Sequence, residues 1–128
     1  MAAMIALDTH VVVWLHAGET KLLPETARIR LEREPGIICP LVTLELEYLY
    51  EIERIAYPAD TIVGDLEADL GLEMCSKPFA PTLREALKVK WTRDPFDRMI
   101  TAHALAHDHD LLTKDKEIRE HCQKAFWD

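Results

Sequence analysis

Arg93-Asp94-Pro95-Phe96-Asp97-Arg98-Met99-Ile100-Thr101-Ala102-His103-Ala104 reads as the opening of a helix with two carboxylates in its first turn. Asp94 is a residue type favoured at an N-cap, and Pro95 suits the first helical position, where its missing N–H has no partner to lose. Asp97 then falls at the third helical position, where the helix dipole favours an anion. Taken singly, these acids are a cap and a dipole-stabilising charge. Their meaning changes once the neighbouring segments are laid out, because other acids fall at matching places.

This helix predicts an end near His107, and Asp110-Leu111-Leu112-Thr113 follows as an apolar strand closed by Lys114-Asp115. Upstream, Thr82-Leu83-Arg84-Glu85 has capping-box spacing and predicts a helix from Thr82 to Trp91. At the start of the chain, Met4-Ile5-Ala6-Leu7 is a short buried strand stopped by Asp8-Thr9. The segment from His10 to His16 is a short helix with Gly18 beyond it. Pro24-Glu25 opens a helix reaching about Glu34, Pro35-Gly36 breaks it, and Ile37-Ile38-Cys39 is a second buried strand. Thr43 to Ile52 predicts a helix with Glu45 in its first turn. Asp60 is placed as the cap of a helix over Thr61 to Leu70 that Gly71 ends. Glu73-Met74-Cys75 suits a short edge strand, Glu117 to Cys122 a last helix, and Lys124 to Trp127 a final strand. Strands alternate with helices throughout. The expectation is one domain spanning residues 1–128, a three-layer α/β/α fold with a mainly parallel central sheet.

Composition agrees with a packed domain: 48% of the 128 residues are hydrophobic and 30% are charged. The net charge of -8 disfavours nonspecific binding to nucleic acid or anionic membrane, unless a local cluster of acids takes up cations and reverses the sign there. Cys39, Cys75 and Cys122 are widely spaced with no C-x-x-C pair, which argues against a disulfide framework or a cysteine zinc site and fits a reducing compartment. Residues 1–18 lack the basic start of a signal peptide, and Asp8 interrupts their apolar run. A cytoplasmic protein is expected.

In an open parallel sheet, ligands bind beyond the carboxyl ends of the strands. Asp8 directly follows the first strand and Glu45 lies one short loop beyond the second. Asp97 begins the helix that leads back into the strand closed by Asp115. Four carboxylates from four segments therefore share one rim. Crowded like charges raise one another's pKa and need a cation or a shared proton to offset them. All-oxygen ligation favours Mg²⁺ or Mn²⁺, and such a site polarises phosphoryl oxygens and activates water. The chemistry indicated is metal-assisted phosphodiester hydrolysis.

Leu7-Asp8-Thr9-His10 with Trp14-Leu15, Leu44-Glu45-Leu46, Arg93-Asp94-Pro95-Phe96-Asp97-Arg98, and Leu111-Leu112-Thr113-Lys114-Asp115 together resemble the PIN-domain ribonucleases. Within them, the nearest likeness is to the VapC-type toxins of bacterial type II toxin–antitoxin pairs. The resemblance runs nearly the length of the chain, down to Phe126-Trp127. It implies an endoribonuclease in which Asp8, Glu45, Asp97 and Asp115 hold Mg²⁺ or Mn²⁺ and water attacks the phosphodiester in line, leaving a 5′-phosphate and a 3′-hydroxyl. It also implies that Thr113 borders the site and Thr9 orients Asp8, while Asp94 caps the helix first and supports the site second. Arg93, Arg98 and Lys114 are candidates to hold RNA phosphates, with Arg98 equally suited to pair with an acid. A cognate antitoxin would cover the acidic pocket with a basic side chain. One departure is Glu53, where relatives often carry Gly before the basic residue matched by Arg54.

Two other readings stay open on sequence alone. A PIN-like module without activity could bind RNA or protein. A phosphotransfer or phosphatase domain would also use an acidic pocket, although His10 stands where an Asp-x-Asp nucleophile pattern needs its second acid. His103 and His107 have the i, i+4 spacing that zinc ligands use, but Ala104 occupies the Glu position of H-E-x-x-H, so the pair reads as a polar helix face. Met4, Met74 and Met99 read as core, and Trp14, Trp91 and Trp127 as core or interface. The segment from Leu44 to Ile52, with Tyr48 and Tyr50, carries more apolar surface than one helix face can bury. That surplus suggests an interface for a homodimer or an antitoxin helix.

Overall fold

The computed structural model describes residues 4–128. Residues 1–3, the start of the segment weighed above as a leader, lie outside this description. Five strands, β1 (Ile5–Leu7), β2 (Gly36–Ile38), β3 (Glu73–Met74), β4 (Asp110–Leu112) and β5 (Ala125–Phe126), form one sheet in the order β3-β2-β1-β4-β5. Every pairing is parallel: Ile5 stands opposite Gly36 and Asp110, Ile38 opposite Met74, and Leu112 opposite Phe126. The chain builds outward from β1 on one side, then returns to place β4 on the other. The strand order therefore reverses between β1 and β4, the place where parallel sheets open a ligand crevice.

Seven α-helices join these strands across the described residues: α1 (Thr9–His16), α2 (Glu25–Arg33), α3 (Pro40–Glu51), α4 (Ala59–Leu70), α5 (Phe79–Ala86), α6 (Pro95–Ala106) and α7 (Lys116–His121). A single 3₁₀ turn at Thr20–Leu22 sits between α1 and α2. Helix α6 lies along α5 and α3, and α1 meets α3 and α4, giving the three-layer α/β/α arrangement. The three central strands are enclosed except at Asp110, with Ile5, Ile38 and Leu111 each at 0% exposure, as expected where both sheet faces are covered. Gly36 permits the closest packing: a Cβ there would fall 2.9 Å from Leu7 Cδ1.

Several local expectations need correction. Helix α3 begins at Pro40, so Glu45 lies in its second turn. Helix α4 begins at Ala59 and Asp60 does not cap it; Glu47 Oε1 accepts the Ala59 N–H at 3.1 Å instead. The Thr82 to Glu85 spacing is not a capping box, because α5 already starts at Phe79 and ends at Ala86. Thr82 is buried inside that helix, with its Oγ1 3.2 Å from His107 Nε2. Met74 is 40% exposed on the edge strand, whereas Met99 is buried as expected. Glu53, where the resembling proteins often have Gly, adopts a left-handed φ of 61°.

Candidate functional site

The rim beyond the carboxyl ends of β1, β2 and β4 is built from helix starts. Asp8 caps α1 by accepting the Thr9 N–H at 2.7 Å. Asp94 caps α6 by accepting from Phe96 N at 2.8 Å and Asp97 N at 3.1 Å. Asp115 caps α7 by accepting from Ile118 N at 3.0 Å. Three acids thus occupy the capping positions that favour their residue type, and three positive helix ends face the same rim. Glu45 and Asp97 carry no capping duty.

Two hydroxyls lace the acids together. Thr113 Oγ1 donates to Asp8 Oδ2 at 2.5 Å and accepts the Asp115 N–H at 3.0 Å. Thr9 Oγ1 donates to Glu45 Oε1 at 2.5 Å. A continuous polar chain therefore runs from Asp115 through Thr113 and Asp8 to Thr9 and Glu45. Thr9 and Thr113 are both wholly buried, so these bonds fix carboxylate rotamers from beneath the surface.

Electrostatics joins Asp97 to the set. Burial raises its pKa first, followed by repulsion from Asp94, Asp8, Asp115 and Glu45, and together they push it to about 7. Burial likewise raises Asp8, partly opposed by the Thr113 and Thr9 hydrogen bonds. Glu45 is raised by burial, with the Thr9 bond acting against it and Asp8 and Asp94 adding to it. The sequence-derived quartet of Asp8, Glu45, Asp97 and Asp115 is thus brought into mutual electrostatic range. Among the described residues, no Lys or Arg forms an ion pair with any of the four. The donors are all oxygen, a set suited to a hard divalent cation.

The basic candidates divide. Arg93 and Lys114 are exposed at the rim, and Lys114 Nζ lies over the Trp14 ring at 5.9 Å. Arg98 turns away from the acids: its Nε and Nη2 donate to the Ala86 carbonyl at 3.3 and 3.1 Å, tying down the end of α5. Trp14 packs edge-on against Trp127 with ring centroids 5.9 Å apart, and Trp91 stacks on His121 at 5.0 Å.

The acid oxygens form an open rim rather than a closed cage. Among the described residues, no three of these carboxylates bring one oxygen each within 4.8 Å of one another, whereas Cys75, His103 and His107 do bring one ligand atom each to that spacing. The expectation of a polar helix face fails at His103, which is buried, while His107 is partly exposed. His103 is 2% exposed, and its ring neighbours both His107 and His109. The available signal in the sequence was the third histidine, two residues beyond the i, i+4 pair. Cys75, which completes the group, comes from a different segment.

Comparison with known proteins follows the same outline. The profile of the PIN domain family matches residues 5–124. Ribonuclease VapC22 of Mycobacterium tuberculosis is 29% identical over 119 residues, which cover 91% of each chain. The crystal structure of VapBC2 from Rickettsia felis, bound to a DNA fragment from its promoter, superposes with a TM-score of 0.66 at 16% identity. That match covers 98% of this chain and 99% of the other.

Proposed function

The chain belongs to the PIN-domain family, and from that premise we propose that it is a metal-dependent endoribonuclease, the toxin of a type II toxin–antitoxin pair. The observation that carries this reading is the rim on which Asp97 is raised to about 7 by burial and by four neighbouring acids, with no Lys or Arg among the described residues paired to Asp8, Glu45, Asp97 or Asp115. The similarity to a ribonuclease supplies the substrate class.

Asp8, Glu45, Asp97 and Asp115 are the residues assigned to hold Mg²⁺ or Mn²⁺. A bound divalent ion supplies polarisation of a phosphoryl oxygen and a lowered pKa for water. The chain's own residues do the positioning. Thr113 and Thr9 donate to Asp8 and Glu45 and so hold both carboxylates in position. Asp94 fixes the first turn of α6 and with it the Asp97 backbone. Arg93 and Lys114 are placed to hold flanking phosphates of a single strand, while Arg98 supports the scaffold. Cleavage in this manner leaves a 5′-phosphate and a 3′-hydroxyl.

Leu44 and Tyr48 are 58% and 49% exposed on α3, and Tyr48 lies 6.2 Å from the Phe96 ring, next to Asp97. This apolar shelf beside the acids suits an antitoxin helix or a second copy of the chain, the kind of surface that partners cover. The similarity to VapBC2 favours the antitoxin. No helix among the described residues is long and apolar enough to cross a membrane. All three cysteines are free and buried, in keeping with a cytoplasmic setting. The test is to map RNA ends after brief expression of the wild type and of Asp97→Asn. New 5′-phosphate ends that appear only with the wild type support the reading; identical ends with the variant would overturn it.

A further inference from the structure

Half-way along α6 the donor chemistry changes. Asp97 and His103 are separated by about 9 Å along a helix rising 1.5 Å per residue, and His107 lies a further turn on. There His103 and His107 face Cys75, which follows the edge strand β3, and each of the three places a ligand atom within 4.8 Å of the others. His109, in the turn before β4, adds a third imidazole: the His103 to His109 and His107 to His109 ring centroids are 5.7 and 6.2 Å apart.

Two features are costly unless something satisfies them. His103 Nε2 and His109 Nε2 are buried with no hydrogen-bond partner, and an orphaned buried polar group costs about 1–3 kcal/mol. The Cys75 thiol is 8% exposed and forms no disulfide. Burial and the neighbouring imidazoles hold His103 near pH 4, so it is neutral at pH 7, the form that binds metals. Thr82 Oγ1, 3.2 Å from His107 Nε2, holds that ring in place as second partners do for ligating histidines.

We infer that Cys75, His103 and His107 form a zinc-binding site, with His109, which lies outside that spacing, moving further to complete it; the site is separate from the acidic rim and joined to it through α6. A thiolate with three imidazoles is a borderline-soft tetrahedral donor set, which selects Zn²⁺ over Mg²⁺. Bond lengths of about 2.0–2.1 Å to nitrogen and about 2.3 Å to sulfur require the group to contract by roughly an ångström on binding. Binding expels the Cys75 proton to solvent and leaves no oxidation state changed. Its structural effect is to pin the segment between β3 and α5 onto α6. Two charges act against binding: Lys77 lies close enough to lower all three histidine pKa values, and Lys124 adds to the effect at His109.

The test uses the full chain, stripped of metal and titrated with Zn²⁺ and then Co²⁺. The expected result is one zinc per chain that Mg²⁺ does not displace, a raised Tm, and a tetrahedral cobalt spectrum with thiolate-to-cobalt charge transfer. Cys75→Ser should abolish the charge-transfer band, and His107→Ala should abolish stoichiometric zinc. Both should still cleave RNA in Mg²⁺, as a check on folding. Asp97→Asn should bind zinc as the wild type does. Zinc that survives Cys75→Ser and His107→Ala but disappears with Asp97→Asn, or a cobalt complex without thiolate absorption, would overturn the inference.

Discussion

The two ends of α6 solve the problem of crowded polar groups in opposite ways. At its start, Asp97 meets Asp8, Glu45, Asp94 and Asp115, all hard oxygen donors. In its second half, His103 and His107 meet Cys75 and His109, softer donors that are mostly enclosed. Asp8, Glu45 and Asp97 are raised by burial and by neighbouring acids, while the histidines are lowered by burial and by Lys77. One helix thus carries hard donors at one end and softer donors at the other. The comparison teaches that donor chemistry and enclosure, rather than proximity alone, determine what a cluster can bind.

The largest effect that could break this contrast is on catalysis. Asp8→Asn or Asp97→Asn should lower the rate of RNA cleavage in Mg²⁺ by about 10³-fold, several kcal/mol of lost charge stabilisation. Cys75→Ser should leave that rate within a small factor. Timed cleavage of a single-stranded RNA checks both, and equal losses at the two ends would erase the distinction.

The pH response sharpens it further. Asp97, at about 7, must lose its proton before a cation can take its place. Apparent Mg²⁺ affinity should therefore fall about tenfold per pH unit below 7 and level off above it. Calorimetric titration across the pH range measures this slope.

A related effect concerns stability. Because the folded pKa of Asp97 is raised, the metal-free protein gives up stability as pH rises from about 4 to about 7, and the penalty is complete above that. Asp97→Asn should accordingly stabilise the metal-free protein at pH 8 by about 1–2 kcal/mol, and by nothing measurable near pH 3.5. Urea titrations at the two pH values read this directly.

The smallest effect lies off the helix and sets the scale for ordinary strain. Glu53 occupies a left-handed φ of 61°. Glu53→Gly should raise stability by about 0.5–1 kcal/mol with cleavage unchanged, since glycine adopts that conformation without a Cβ clash.

The hard-donor end was largely legible in the sequence and the soft end was not. Asp8 and Asp115 each sit between an apolar strand and a helix, and Asp94 stands before Pro95 at a helix start, so local pattern alone locates them. The parallel sheet then carries them to one rim. Glu45 lies in the helix expected of it but one turn further in, because α3 starts at Pro40 rather than at Thr43. Thr82 misled for a tertiary reason: its capping-box spacing is local, while its hydroxyl is engaged by His107 from another helix. Met74 was read as core because the strand pattern does not reveal which strand lies at the sheet's edge. The spacing of His103 and His107 is visible in the sequence, but Cys75 comes from another crossover, and only the fold brings it to them.

The central claim is that the acids at the start of α6 bind a hard divalent cation. Titration of the metal-free protein with Mn²⁺, followed by electron paramagnetic resonance of the free ion, tests it most directly. The account predicts saturable binding by the wild type and by Cys75→Ser, with most of the affinity lost in Asp97→Asn. Mn²⁺ binding by Asp97→Asn equal to that of the wild type would contradict it.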